Sequence, residues 1–189
     1  PWPLENTNYV RFYLKEGKTL STTKSTKATS FDEYKVDFSA TTGRASRWWT
    51  GLGTPMLNLA DRRKADEKLL VYTSEPLEND MQITGWPIVS LNISSTHSDG
   101  AFIAYLEDVD ETGKSTYVNE GGLRALHRKV IENPVAGLPV PYHSFKKEDA
   151  MPLKVGEIAT IQFEMIPTSV KIARGHRIRI AIAGADKDN

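Results

Sequence analysis

The chain has 189 residues, 39% of them hydrophobic and 25% charged, the make-up of one globular domain able to bury a sizeable core. Its 24 basic side chains are balanced by 24 acidic ones, so the basic excess of a nucleic-acid surface is absent. No apolar run approaches the ~20 residues of a membrane helix. The absence of cysteine removes disulfides, thiolate metal sites and a thiol nucleophile. It leaves the compartment open between the cytoplasm and a periplasmic or secreted location.

The start at Pro1-Trp2-Pro3, without an initiator Met, reads as that of a processed or excised fragment. Residues 9–15 alternate Val10, Phe12 and Leu14 with Arg11, Tyr13 and Lys15, the period of two that marks a half-buried strand. The Ser/Thr/Lys-rich residues 21–30 have no apolar face and read as exposed loop, and a short strand over 34–38 follows. Residues 39–55 are irregular and hold the adjacent pair Trp48-Trp49 among glycines. Thr54 as cap and Pro55 in the first turn predict a short helix running to Arg63. Arg62, Arg63, Asp66 and Glu67 then form a dense charge cluster, expected as a solvated face or as the polar rim of a docking surface.

Strands are predicted over residues 69–73 and 81–84, with Trp86 at the entrance of the next. In that next strand Val89, Leu91 and Ile93 share one face, and Ser90, Asn92 and Ser94 share the other. After the polar turn 96–100, residues 101–109 are apolar in both registers until Glu107, which predicts a central strand covered on both faces. Residues 110–113 close a hairpin in which Gly113 takes the left-handed conformation, and two further strands are expected after it. The proline-rich residues 134–141 are unsuited to sheet interior, and 143–152 read as polar loop with one helical turn. Alternation resumes over 156–166, and a last strand places Ile178, Ile180 and Ile182 inward with Arg177 and Arg179 outward. Nine or ten short strands separated by turn signals, with no fixed repeat, predict a two-sheet antiparallel sandwich.

Chemistry is sparse along this pattern. No Gly-x-Ser-x-Gly elbow occurs, and His97-Ser98-Asp99, although it holds all three triad residue types, places them as chain neighbours in one turn. The turn reading gives Asp99 to backbone amides instead. Asp108 to Gly113 matches the first half of a calcium loop, but Asn119 stands where the bidentate Glu belongs, so solvated hairpin carboxylates are expected. His127, His143 and His176 match no ligand spacing. Asn92-Ile93-Ser94 is a glycosylation sequon inside a strand. Trp48, Trp49 and Trp86 are the candidates for domain docking or ligand stacking; the Trp pair fits packing against a neighbouring domain, packing within this one, or sugar stacking.

Several motifs stand together in one order. They are Ser94-Ser95-Thr96 with Asp99, Leu106-x-Asp108-Val109, Gly113, Gly121-Gly122-Leu123-Arg124-Ala125 with Arg128, and Gly175-His176-Arg177, with residues 61–77 upstream. This set resembles the C-terminal domain of the X-Pro dipeptidyl-peptidase and cocaine-esterase group of serine hydrolases, from about residue 2 to about residue 186. The resemblance implies a jelly-roll β-sandwich of the galactose-binding-like type, a single non-catalytic domain over residues 1–189. It implies that the catalytic Ser, Asp and His lie upstream in an α/β-hydrolase domain, the expected partner. This module is expected to stabilise that domain, to dock on it and to shape one wall of its substrate pocket. Asp99, Asp108, Gly113, Gly121, Arg124, Arg128, Gly175, His176 and Arg177 are the family-like structural positions. No cofactor is implied, although galactose-binding-like folds sometimes carry a structural calcium. Relatives continue past the Ile178 strand into a closing strand, so an unpaired sheet edge and self-association are expected. The rival from another class is a free-standing carbohydrate-binding module, which exposed coplanar aromatics would favour.

Overall fold

Strands form here where the period of two coincides with β-branched and aromatic side chains, and aspartate- or glycine-bearing turns end them. The computed structural model describes residues 4, 7–27, 29–43, 61–132 and 138–188. Within them lie the strands β1 (Tyr13–Lys15), β2 (Thr19–Ser21), β3 (Leu70–Ser74), β4 (Met81–Gly85) and β5 (Ile88–Ile93). The second half adds β6 (Ala101–Val109), β7 (Ser115–Arg124), β8 (Ala159–Glu164), β9 (Thr168–Ile172) and β10 (Arg177–Ala183). One helical turn, α1 (Arg63–Asp66), precedes β3.

Six strands hydrogen-bond in the order β1-β2-β3-β10-β6-β7, antiparallel except where β2 meets β3. Antiparallel pairs β4–β9 and β5–β8 form the opposing layer. The architecture is an all-β jelly-roll sandwich. Its core is the apolar face that each layer must hide from water. Leu91, Ile161, Phe163 and Ile172 from one layer meet Leu106, Leu123, Ile178 and Ile182 from the other. Full burial of each such side chain contributes roughly 1.5–3 kcal/mol.

The six-stranded sheet is apolar on its outer face as well. Tyr105, Tyr117, Ala181 and Ala183 form a second buried cluster there, flanked by Leu69, Val71 and Ile103. An irregular strap, residues 32–42, starts at Tyr72 of the inner core and runs on to this side. The Tyr72 hydroxyl donates to Asp32 at 2.5 Å, the Tyr34 hydroxyl to the Lys68 carbonyl at 3.1 Å, and the Lys187 amide to the Ala40 carbonyl at 2.9 Å. The Tyr105 hydroxyl donates to Asp186 at 2.7 Å, and the same carboxylate receives the Thr42 amide at 3.2 Å. Strap and sheet thus share one polar seam over an apolar floor.

The strands over residues 69–73, 81–84, 89–94, 101–109 and 156–166 lie where the period of two places them, to within a few residues, and Lys147–Asp149 forms the single helical turn of the 143–152 loop. Four expectations differ. Residues 9–12 are not in a strand, because β1 sits at the end of the sheet and finds partners over only three residues. Residues 34–38 join no ladder; they belong to the strap, and Phe38 is left exposed. After the hairpin a single ten-residue strand replaces the two expected. Its bulge lies at Val118, since Leu106 faces Asn119 and Glu107 faces Tyr117, and that bulge absorbs the break in alternation. Most of the predicted helix ending at Arg63, together with Trp48 and Trp49 and residues 133–137, lies outside the described residues.

The last difference concerns β10. Ile178, Ile180 and Ile182 do face the inner core, and Arg179 faces outward, but not into water. Its guanidinium donates to Asp66 at 2.9 Å and to the Thr73 hydroxyl at 3.0 Å, with only 17% of the side chain exposed. Arg179→Ala should therefore lower the urea-unfolding free energy by roughly 2–4 kcal/mol, somewhat less than a fully buried pair loses. Adding Asp66→Asn should recover at least ~1 kcal/mol, because it removes the stranded carboxylate. A single-variant loss below ~0.5 kcal/mol would restore the solvated reading.

Candidate functional site

Among the described residues, a dense polar cluster surrounds Glu107, a fully buried carboxylate at the bulge of the β6–β7 pair. Arg62, also buried, places its Nε 2.6 Å from one Glu107 oxygen, and Ser115 donates its hydroxyl to the other at 2.6 Å. Arg62 is itself held by its amide, which donates to the Ser115 carbonyl at 2.8 Å, and its guanidinium lies 4.3 Å from the centre of the Tyr105 ring. Asp66, one turn along α1 and buried, lies 3.7 Å from Arg62 and accepts from Arg179. The order Arg179, Asp66, Arg62, Glu107 alternates in sign and ties α1 to β10 and β6, with Ser115 adding β7. Burial, and then the Asp66 charge, pushes the Glu107 carboxyl up to about 7 against the pull of Arg62. The expected solvated charge cluster is thus half wrong. Arg63 and Glu67 face water, whereas Arg62 and Asp66 are sealed in.

The family-like positions fall into two groups at opposite ends of β6, with Gly121 between them. At its start, Asp99 accepts from the Arg124 guanidinium and, at 3.0 Å, from the Leu126 amide. Burial raises the Asp99 carboxyl, but Arg124 and the Gly100 and Leu126 amides leave it below its ordinary value. Arg128 donates to the Met151 carbonyl and, at 3.2 Å, to that of Pro152, which binds the long 129–158 connection to the end of β7. At the far end of β6, Asp108 meets the His176 Nδ1 at 2.8 Å, and Arg177 donates to the Ser74 carbonyl at 2.8 Å. Gly113 and Gly175 both have positive φ, +85° and +83°, and at Gly175 a Cβ would also collide with Glu111. Asp110 Oδ1 accepts from the Thr112 and Lys114 amides at 2.8 and 3.0 Å, so that carboxylate closes the hairpin.

The three triad types of the 97–99 turn do not join. His97 Nδ1 pairs with Thr96, Asp99 with Arg124, and the Ser98 carbonyl receives the Leu153 amide. The remaining histidines also disperse. His143 lies between the carbonyls of Lys129 and Gln162 at 3.0 and 2.9 Å, and His127 rests against Phe145. Among the described residues no three His, Asp or Glu side chains converge as metal ligands do. A concavity of about 750 Å³ opens beside β7 and is lined by Trp86, Ile103, Gly121, Gly122, Met165 and Pro167, with Glu120, Glu164 and Asp188 also on its wall. Trp86 is half-buried there. Gly121 has no room for a side chain, since a Cβ would lie 2.6 Å from the Met165 Cα.

One signal for the buried charges stands in the sequence. A glutamate in a strand apolar on both faces demands a cation, and the Arg62 that supplies it lies 45 residues away in sequence.

Comparison with known proteins places this geometry in context. Residues 1–189 match the family model of the X-Pro dipeptidyl-peptidase C-terminal non-catalytic domain. The chain is 50% identical over 157 residues to proteins provisionally named serine esterase in Mycobacterium bovis and Mycobacterium tuberculosis, covering 82% of this chain and 25% of each of those. It is 27% identical over 201 residues to a cocaine esterase of Rhodococcus, covering 98% of this chain and 31% of that one. Among solved structures, an aminopeptidase from a marine-sediment Thaumarchaeota archaeon superposes with a TM-score of 0.73 at 20% identity, over 98% of this chain and 30% of that one. An alpha-amino acid ester hydrolase gives 0.70 at 22%, over 93% and 28%. At these identities the structures speak for the fold alone. The chain spans about a quarter to a third of the length of the curated relatives it matches.

The Glu107 environment has a pH signature. Because folding raises this carboxyl from 4.5 to about 7, its contribution is fully present below pH 4.5 and is lost as pH climbs through 7. Stability of the chain should fall by on the order of 1–3 kcal/mol between pH 5 and 7.5, and Glu107→Gln should flatten that slope. Urea titrations of both proteins at the two pH values measure the difference, with the histidines cancelling between them. Equal slopes would remove Glu107 as the titrating group.

Proposed function

The chain belongs to the family of X-Pro dipeptidyl-peptidase C-terminal non-catalytic domains, and from that premise we propose that it is the accessory β-sandwich of a serine hydrolase. In this reading it docks on the α/β-hydrolase catalytic domain of the same polypeptide, stabilises it and forms one wall of its substrate pocket. The observation that carries the proposal is the pairing of a family match over residues 1–189 with relatives of which this chain spans only a quarter to a third. The polar geometry supports it. Arg62, Glu107, Asp99 and His176 are engaged in ties between segments of the fold, and the 97–99 turn is not wired for nucleophilic attack. The serine-esterase names of the relatives at half identity favour an ester-cleaving parent over a peptide-cleaving one.

The test is removal. A parent polypeptide truncated before this domain should lose several degrees of melting temperature while a small serine-directed acylating probe still labels its nucleophile. KM for bulky esters should change more than KM for small ones, because one pocket wall is gone. A truncated parent with unchanged melting temperature and unchanged selectivity would contradict the accessory role.

A further inference from the structure

Residues 9–15 carry the alternation of a seven-residue strand, yet only Tyr13–Lys15 pair, and on one side only, because β1 is the terminal strand of its sheet. Just upstream, Tyr9 is 80% exposed and Val10 55% exposed, while Phe12 packs on the core. Tyr9 and Val10 are thus left open by the described residues, while Phe12 anchors the stretch to the core. Leu14, on β1 itself, is also partly open. A strand pattern without a partner, beside an open sheet edge with apolar side chains uncovered, is a template for association.

We propose that residues 9–12 and the free edge of β1 are the seat of the catalytic domain, against which the 9–15 strand is completed. This rests on the accessory-domain reading above and adds to it the face that is used. Two observations select that occupant. In a C-terminal domain the preceding part of the polypeptide joins from the N-terminal side, the side on which Tyr9 and Val10 lie open. A second copy is disfavoured by charge. The 9–15 segment holds Arg11 and Lys15 and no acid, so antiparallel pairing of two copies about Tyr13 sets Arg11 against Lys15. The fitting surface is apolar with acidic side chains at its rim.

Hydrogen–deuterium exchange on the parent polypeptide and on this chain decides the matter, with the exposed residues 22–24 and 26–27 as the internal reference. The proposal expects the amides of residues 9–12 to exchange at least ~100-fold more slowly than that reference in the parent, and at the reference rate in the chain alone. Exchange at the reference rate in both, with other surfaces of the domain gaining protection in the parent, would overturn this face while leaving the accessory role standing. Protection in the chain alone that grows with concentration, alongside dimer in sedimentation, would assign the edge to a second copy and overturn the proposal. If no amide of the domain gains protection in the parent, the accessory-domain reading itself fails.

Discussion

A carboxylate without access to water must have its charge answered by the protein, and Glu107 is the place where this fold meets that demand. Its partners come from far along the chain. Arg62 precedes α1, Ser115 opens β7, and Asp66 with Arg179 completes the alternation of charge across β10. Desolvating four charges costs about as much as their attraction returns, so the network is a poor source of net stability. What it does is discriminate. Any other seating of α1 leaves Glu107 unpaired among Tyr105, Tyr117 and the alanines of β10, at a cost of several kcal/mol. The position of the helical turn, and of the chain leading into β3, follows from that penalty.

The same constraint explains why the six-stranded sheet is buried on both faces. Inside, it meets the β4–β9 and β5–β8 pairs over a core of Leu, Ile and Phe. Outside, a smaller cluster is closed by α1 and lies beside the strap of residues 32–42, whose hydrogen bonds run to Lys68, Asp186 and Lys187. With polar groups spent on these seams, the positions that resemble a family motif act as fasteners. Asp99 and Arg128 hold the loops at one end of β6, and His176 and Arg177 hold those at the other. The family match is to a non-catalytic domain, and the role proposed for this chain is mechanical.

Much of this was legible in the sequence because it is local. β5, β6 and β8 announce themselves through the period of two, and the Asp110–Gly113 hairpin through a left-handed glycine and an aspartate that caps its turn. What escaped was set by partners distant in sequence. Residues 9–12 and 34–38 have strand patterns, but a ladder needs a neighbour, and alternation alone does not reveal whether one exists. Alternation puts Arg179 on the outer face of β10, but it does not reveal that the cover on that face comes from Asp66, over a hundred positions earlier. Arg62 and Asp66 read as surface charges for the same reason. Of the docking candidates, Trp86 lines the concavity beside β7, and Trp48 and Trp49 lie outside the described residues.

If this sandwich acts by binding the catalytic domain, as proposed, association in trans measures that binding most directly. The catalytic portion of the parent and this chain, made separately and mixed, should bind with 1:1 stoichiometry in titration calorimetry. Apolar burial at the interface predicts a negative heat-capacity change on binding. A dissociation constant at or below roughly 10 μM would suit an inter-domain interface of about 600–1,500 Å². Two folded proteins that give no heat at any temperature and migrate independently in sedimentation would contradict the account.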